Sequence, residues 1–207
     1  IKNLKKWAKP KSVGTSLLFA STSGTLVYEP KGNTLIITPW NYPFQLPMVH
    51  LIASVAAGNT AILKLSEFTP HINQVIKRLL SELFEQKHVA VIEGAVEETT
   101  HLLNLKFDHI HFTGSPSVGK IIMEGASKNL TDITLELGGK SPVFIDKNIN
   151  ITEVARNIIW AKFVNMGQTC IAPDYLLVDK SIEKQFDLAL QEEIKNAFGE
   201  KAIESKD

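Results

Sequence analysis

From Gly32 onward the chain alternates short apolar runs with longer segments of helical period. β-rich runs stand at Thr34 to Thr38, Thr60 to Leu65, His88 to Glu93, His109 to Thr113 and Ile133 to Leu137. Between them, Leu46 to Ala57, Ile72 to Phe84, Val96 to Leu103 and Val118 to Ala126 read as helical. Such runs, bounded by turn residues, predict buried strands, and the intervening segments predict helices. Strands alternating with helices across short turns imply βαβ units, hence a mostly parallel sheet covered on both faces. The expected class is α/β, a doubly wound, Rossmann-like sheet. After Gly138-Gly139 the alternation resumes, with a strand at Pro142 to Ile145, a helix from about Ile151 to Asn165, a strand at Tyr175 to Val178 and a helix from Ile182. That reads as the start of a second α/β lobe, and the glycine pair divides residues 1–138 from 139–207. Upstream, Ile1 to Lys11 predicts a short helix with Leu4, Trp7 and Ala8 on one face and its lysines solvated. Two apolar runs around Ala20-Ser21-Thr22-Ser23-Gly24 predict a projecting β-hairpin within residues 12–30.

Composition narrows the classes. The 207 residues carry 22 basic and 22 acidic side chains and are 44% hydrophobic, which suits a globular protein able to bury a core. Zero net charge gives no support to nucleic-acid or anionic-membrane binding as the main role. A single cysteine excludes an internal disulfide framework and fits a reducing, cytoplasmic setting. No apolar run approaches a membrane span and no signal peptide is apparent. The chain begins at Ile1 rather than Met, so a processed or incomplete N-terminus is expected.

In doubly wound sheets ligands sit beyond the carboxyl ends of the strands. Those positions read Pro39-Trp40-Asn41-Tyr42-Pro43, Lys64-Leu65-Ser66-Glu67, Phe112-Thr113-Gly114-Ser115 and Glu136-Leu137-Gly138-Gly139-Lys140. Prolines on both sides stiffen the turn around Asn41, which either satisfies local backbone or aims an amide donor into the cleft. Lys64 and Glu67 read either as an ion pair or as a donor and an acceptor for ribose hydroxyls. Gly114-Ser115-Pro116-Ser117-Val118-Gly119-Lys120 matches no standard phosphate loop. A helix N-terminus for a phosphate and a plain serine cap explain it about equally well. Glu136 is a charge inside an apolar strand, so the expectation is a buried carboxylate suited to general-base work. His109 and His111 share one side of a strand, and with no third ligand nearby no metal site is expected. Cys170 follows Met166-Gly167-Gln168-Thr169, where Gly167 stops the apolar-periodic segment ending at Val164 and Pro173 follows. A thiol on a polar loop just past a helix end is accessible as a core thiol is not.

In order and spacing, these five motifs, ending in Gly167-Gln168-Thr169-Cys170, resemble the aldehyde dehydrogenase superfamily, over nearly the whole chain. The wording around Asn41 and Glu136 is similar to the branch of dimeric and fatty aldehyde dehydrogenases. The resemblance implies NAD(P)-dependent oxidation of an aldehyde to a carboxylic acid. It makes Cys170 the nucleophile that forms a thiohemiacetal and then a thioester, Asn41 an oxyanion donor beside the Cys170 backbone N–H, and Glu136 the base for the hydrolytic water. Cofactor binding falls to Thr38, Trp40, Lys64, Glu67, Gly114, Ser115, Val118, Gly119, Leu137 and Gly138. NAD or NADP is implied, and Glu67 favours NAD because a carboxylate repels a 2′-phosphate. Residues 1–138 then form the cofactor-binding domain and 139–207 the first part of the catalytic domain, with the hairpin as an assembly element of a homodimer. Family subunits are much longer than this chain, so it is expected to be part of a longer polypeptide. Two alternatives remain: a CoA-acylating member of the same superfamily, which has no need of a water-activating Glu136, and a non-catalytic nucleotide-binding module.

Overall fold

The computed structural model describes residues 2–200. In chain order these form α1 (Leu4–Trp7), β1 (Lys11–Val13), β2 (Gly24–Leu26), β3 (Asn33–Ile37), α2 (Gln45–Ala56), β4 (Thr60–Lys64), α3 (Pro70–Leu83), β5 (Val89–Ile92), α4 (Val96–Leu103), β6 (His109–Gly114), α5 (Pro116–Ser127), β7 (Asp132–Leu137), β8 (Ser141–Ile145), α6 (Ile151–Phe163), β9 (Pro173–Val178) and α7 (Glu183–Phe198). They divide into two compact units, Ile1–Glu136 and Leu137–Asp207.

The first unit is built on a five-stranded sheet in the order β5-β4-β3-β6-β7. β4 and β6 flank β3 in parallel, and β5 runs parallel to β4. β3, β4 and β5 progress to one side before β6 returns to the other side of β3. The β3/β6 junction is therefore the topological switch point, where crossovers diverge and leave a crevice. Alternate side chains of each strand feed two cores. Ile36, Ala61 and Leu63 pack with Leu51 of α2 and Ile76 and Leu80 of α3. Leu35, Ile110 and Phe112 are equally buried among the strands. On α5, Gly125 meets α4 so closely that a Cβ there would lie 3.3 Å from Leu103, so glycine sets the spacing of this helix pair.

β1 and β2 form a separate antiparallel hairpin, with Lys11 opposite Leu26 and Val13 opposite Gly24. Its strands are shorter and farther apart in sequence than the apolar runs imply. Leu17–Phe19 makes a single 3₁₀ turn at the tip instead of a strand, held by the Phe19 N–H donating to the Ser16 carbonyl at 2.9 Å. Leu17 and Leu18 are over 90% exposed there, because the two-stranded ribbon offers no opposing face to cover them.

In the second unit β8 and β9 pair in parallel, and α6 and α7 enclose a core of Ile145, Ala155 and Phe186. Arg156 on α6 donates from Nε to the buried Glu193 carboxylate of α7 at 3.1 Å, and that pairing raises the guanidinium pKa. No helix among the described residues is long and apolar enough to cross a membrane.

Candidate functional site

The carboxyl ends of β3, β4 and β6 carry most of the predicted first-unit residues. Thr38 follows β3 and is buried; its N–H donates to the Lys64 carbonyl at 3.1 Å, which ties the ends of β3 and β4 together. Trp40 is exposed next to Asn41, which is half-buried in the turn before α2. Lys64 ends β4 with a side chain only 5% exposed, and its Nζ lies 3.5 Å from Glu67 Oε2, whose side chain is 37% exposed. This is not a surface ion pair. A buried ammonium needs a partner, and the partly exposed Glu67 carboxylate supplies it. The further loop Ser66 to Thr69 is pinned by Asn73 of α3, whose side-chain amide donates to the Ser66 carbonyl at 2.7 Å.

Gly114 closes β6, and a Cβ on it would come within 2.5 Å of the Phe112 ring, so only glycine fits there without displacing that ring. Ser115 caps α5, with its Oγ accepting from the Val118 N–H at 3.3 Å, and Pro116 occupies the first turn. Val118 is exposed while Gly119 is buried, its N–H bonded to the Ser115 carbonyl at 2.9 Å. The loop thus presents a helix N-terminus beside the switch point, where N–H groups and positive partial charge favour an anionic group.

Glu136 departs from expectation. It lies on β7, the edge strand of the sheet, and is exposed rather than buried in apolar surroundings. The apolar neighbours Leu135 and Leu137 take the other side of the strand, as period-2 alternation requires. Local hydrophobicity alone cannot separate an edge strand from a central one.

Sequence reasoning passed over His50. It stands on α2, and its ring lies against His111 of β6 with centroids 3.8 Å apart. Burial lowers its pKa, and the Glu136 carboxylate partly opposes that shift through its charge. Burial, with the nearby His50 and then His109, drives the His111 pKa down to about 4. The available signal was a polar pair, His50 and Ser54, one helical turn apart within a helix that is apolar from Leu46 onward apart from them. Among the described residues no three His, Cys, Asp or Glu side chains gather as a metal site.

In the second unit Leu137 is half-buried and Gly138 exposed at its start, and Cys170 is an exposed free thiol. After α6 the backbone turns left-handed over Asn165 (φ 53°), Met166 (φ 54°) and Gly167 (φ 75°). A Cβ on Gly167 would also lie 3.1 Å from the Lys162 carbonyl oxygen. That sharp reversal ends the helix and lifts Gln168 to Cys170 out of its path. Gly139 approaches closely enough that a Cβ would sit 3.3 Å from the Cys170 carbonyl oxygen, so the second glycine of the Gly-Gly pair borders the thiol loop.

Residues 5–206 match the profile of the aldehyde dehydrogenase family. The whole chain aligns at 48% identity with 4,4′-diaponeurosporen-aldehyde dehydrogenase of Staphylococcus aureus, covering 45% of that protein. It aligns at 44% with the dimeric NADP-preferring aldehyde dehydrogenase of Rattus norvegicus, covering 46% of it. Among solved structures, the substrate-bound state of Staphylococcus aureus AldH superposes with a TM-score of 0.92 at 48% identity, over 99% of this chain and 44% of that one. PnpE in complex with nicotinamide adenine dinucleotide superposes with a TM-score of 0.83 at 32% identity, over 95% of this chain and 40% of that one. The chain therefore spans less than half the length of the relatives it matches. The five motifs, the doubly wound sheet and these alignments agree: the chain belongs to the aldehyde dehydrogenase family.

Proposed function

We propose that the protein of which this chain forms part oxidises an aldehyde to a carboxylic acid with NAD or NADP, through a cysteine thioester. The observation that carries the proposal is Cys170, the chain's only cysteine, exposed on a loop that follows a left-handed turn. An inert structural thiol has no reason to be offered to solvent on such a turn.

The first unit fits a dinucleotide. Its switch-point crevice, the α5 N-terminus after Gly114 and Ser115, and the Lys64–Glu67 pair supply a pyrophosphate cradle and a donor and acceptor for ribose hydroxyls. Thr38, Trp40, Val118, Gly119, Leu137 and Gly138 complete the proposed binding surface. Bound there, the nicotinamide supplies the hydride acceptor. The Cys170 thiolate attacks the aldehyde carbon, and the Asn41 amide and the Cys170 N–H hold the oxyanion. Loss of hydride from that carbon leaves a thioester on Cys170. Glu136 takes a proton from water, the hydroxide adds to the thioester carbon, and the carbonyl re-forms with expulsion of the Cys170 thiolate. The chemistry requires a reduced thiol, so a cytoplasmic site of action accompanies the proposal. The hairpin, with Leu17, Leu18 and Phe19 exposed, is proposed to pack against a second copy in a dimer.

The test is rapid mixing of the natural polypeptide with aldehyde and NAD⁺. A burst of NADH stoichiometric with subunits is expected, and Cys170→Ala should abolish it. Prior alkylation by iodoacetamide should remove it in step with labelling of Cys170. A full burst from the alkylated protein would overturn the assignment.

A further inference from the structure

Three histidines gather on one side of the first unit's sheet. Along β6, His109 and His111 alternate with the buried Ile110, so both project toward α2. His50 descends from α2 onto His111, the rings inclined by 36°. His109 identifies the matching face of β7. Its Nδ1 lies 3.1 Å from Asp132 Oδ2 and its Nε2 3.2 Å from Thr134 Oγ1. Asp132 and Thr134 are two residues apart, and Glu136 is the next side chain along that same face. His50, His111 and Glu136 therefore share one surface of the sheet.

His50 is unusual within it. Its Nε2 is buried and has no hydrogen-bond partner. A withheld, uncommitted imidazole nitrogen is costly, and such atoms concentrate where they are used. The cation Lys31 is paired with Asp132, and His109 is occupied by Asp132 and Thr134, so neither competes for that nitrogen. Beside the stack is a cavity of about 180 Å³ lined by Lys31, Thr34, His50, Ser54, His109 and His111. It has room for several waters.

We propose that His50 is a positioning residue for deacylation, which receives through Nε2 the proton that Glu136 removes from the hydrolytic water. This rests on the reading of Glu136 as the base. The balance is simple. One O–H bond of water breaks as Glu136 takes the proton, and the remaining hydroxide bonds to the thioester carbon. Glu136 then passes the proton to neutral His50, which becomes imidazolium, and returns to carboxylate before the next turnover. The imidazolium releases the proton to water in the cavity, and no electron is transferred. Burial keeps His50 neutral at the start, as a proton acceptor must be. His111, with its pKa at about 4, stays neutral beneath it and does not take the proton in its place. The charges facing His50 are then Glu136, which attracts the proton, and the Lys31–Asp132 pair, which is balanced.

Two measurements test this on the natural polypeptide. The first is the His50 ring titration followed by NMR in the parent and in Glu136→Gln. The His50 pKa is expected to fall in the variant, since the carboxylate that raises it is gone; an unchanged titration overturns the proposal. The second compares the NADH burst with steady-state turnover in His50→Ala and His50→Gln. The burst should survive in both, while steady turnover drops on the order of tenfold, less than the ~10²–10⁴ of a direct acid–base group. Added imidazole should restore turnover in His50→Ala, where a cavity is opened on His111, and not in His50→Gln. Unchanged turnover, or a loss that imidazole does not reverse in His50→Ala, overturns the role of His50 and leaves the dehydrogenase reading standing. No burst in the parent overturns both.

Discussion

A half-buried imidazole, His111, with a pKa of about 4 couples the folded state of the first unit to acid. Free histidine titrates near 6.5, so between about 4 and 6.5 the unfolded chain holds a proton on His111 that the folded chain does not. Unfolding takes up protons in that window, stability rises with pH across it, and acidification lowers stability. Discounted for partial exposure, the loss between pH 7 and pH 4 is about 1–2 kcal/mol. Urea melts at the two pH values should show it, and His111→Phe should shrink the difference while keeping the ring against His50. Asn41 is the second residue with a distinct expectation. With Asn41 as the proposed oxyanion donor, its truncation is expected to cost on the order of 100- to 1000-fold in kcat, so Asn41→Ala should cripple turnover while NAD affinity, measured by fluorescence quenching, stays within about twofold. Both residue types were visible in the string, but their surroundings were not. Glu136 looked buried because of Leu135 and Leu137, whereas its edge position in β7 exposes it. His50 looked bland because nothing local reveals that β6 lies beneath it.

At the level of elements the hydrophobic rhythm carried far. The run Thr34 to Thr38 became β3 at Asn33–Ile37, and Leu46 to Ala57 became α2 at Gln45–Ala56. α3 shows why. Asn73, Ile76 and Leu80 recur at helical spacing and form its buried stripe against β4 and β5. Ile76 and Leu80 are almost wholly inaccessible, so Ile76→Ala should cost about 2–5 kcal/mol in chemical denaturation, by lost burial plus a cavity. The end of α6 was less legible. The apolar pattern runs on to Val164, yet the helix stops at Phe163 and turns left-handed over two non-glycine residues. Such a conformation costs roughly 1 kcal/mol or more per residue and persists only where surrounding structure imposes it. Met166→Gly should therefore raise thermal stability while loosening the loop that carries Cys170. Faster alkylation of the thiol would reveal the loosening. The hairpin strands were displaced for the opposite reason, since an isolated ribbon has no core to fix its register.

For the whole molecule, the exposed Leu17, Leu18 and Phe19 at the hairpin tip set an expectation about assembly. If the proposed dimer forms through this tip, Leu17→Glu with Leu18→Glu should shift the natural polypeptide toward monomer in sedimentation velocity, without unfolding either unit, because neither side chain contributes to a core. By itself the amino-acid order determined the α/β class, the alternation of elements and membership of the aldehyde dehydrogenase family. These follow from periodicity and from motifs confined to short windows, where neighbours along the chain are also neighbours in space. Only the tertiary structure decided the sheet order with its switch point at β3 and β6, the exposure of Glu136, the burial of Lys64 against Glu67 and the stacking of His50 on His111. Each of those depends on which strand lies at an edge and which helix covers it, and such pairings are set by burial summed over distant segments rather than by any local signal.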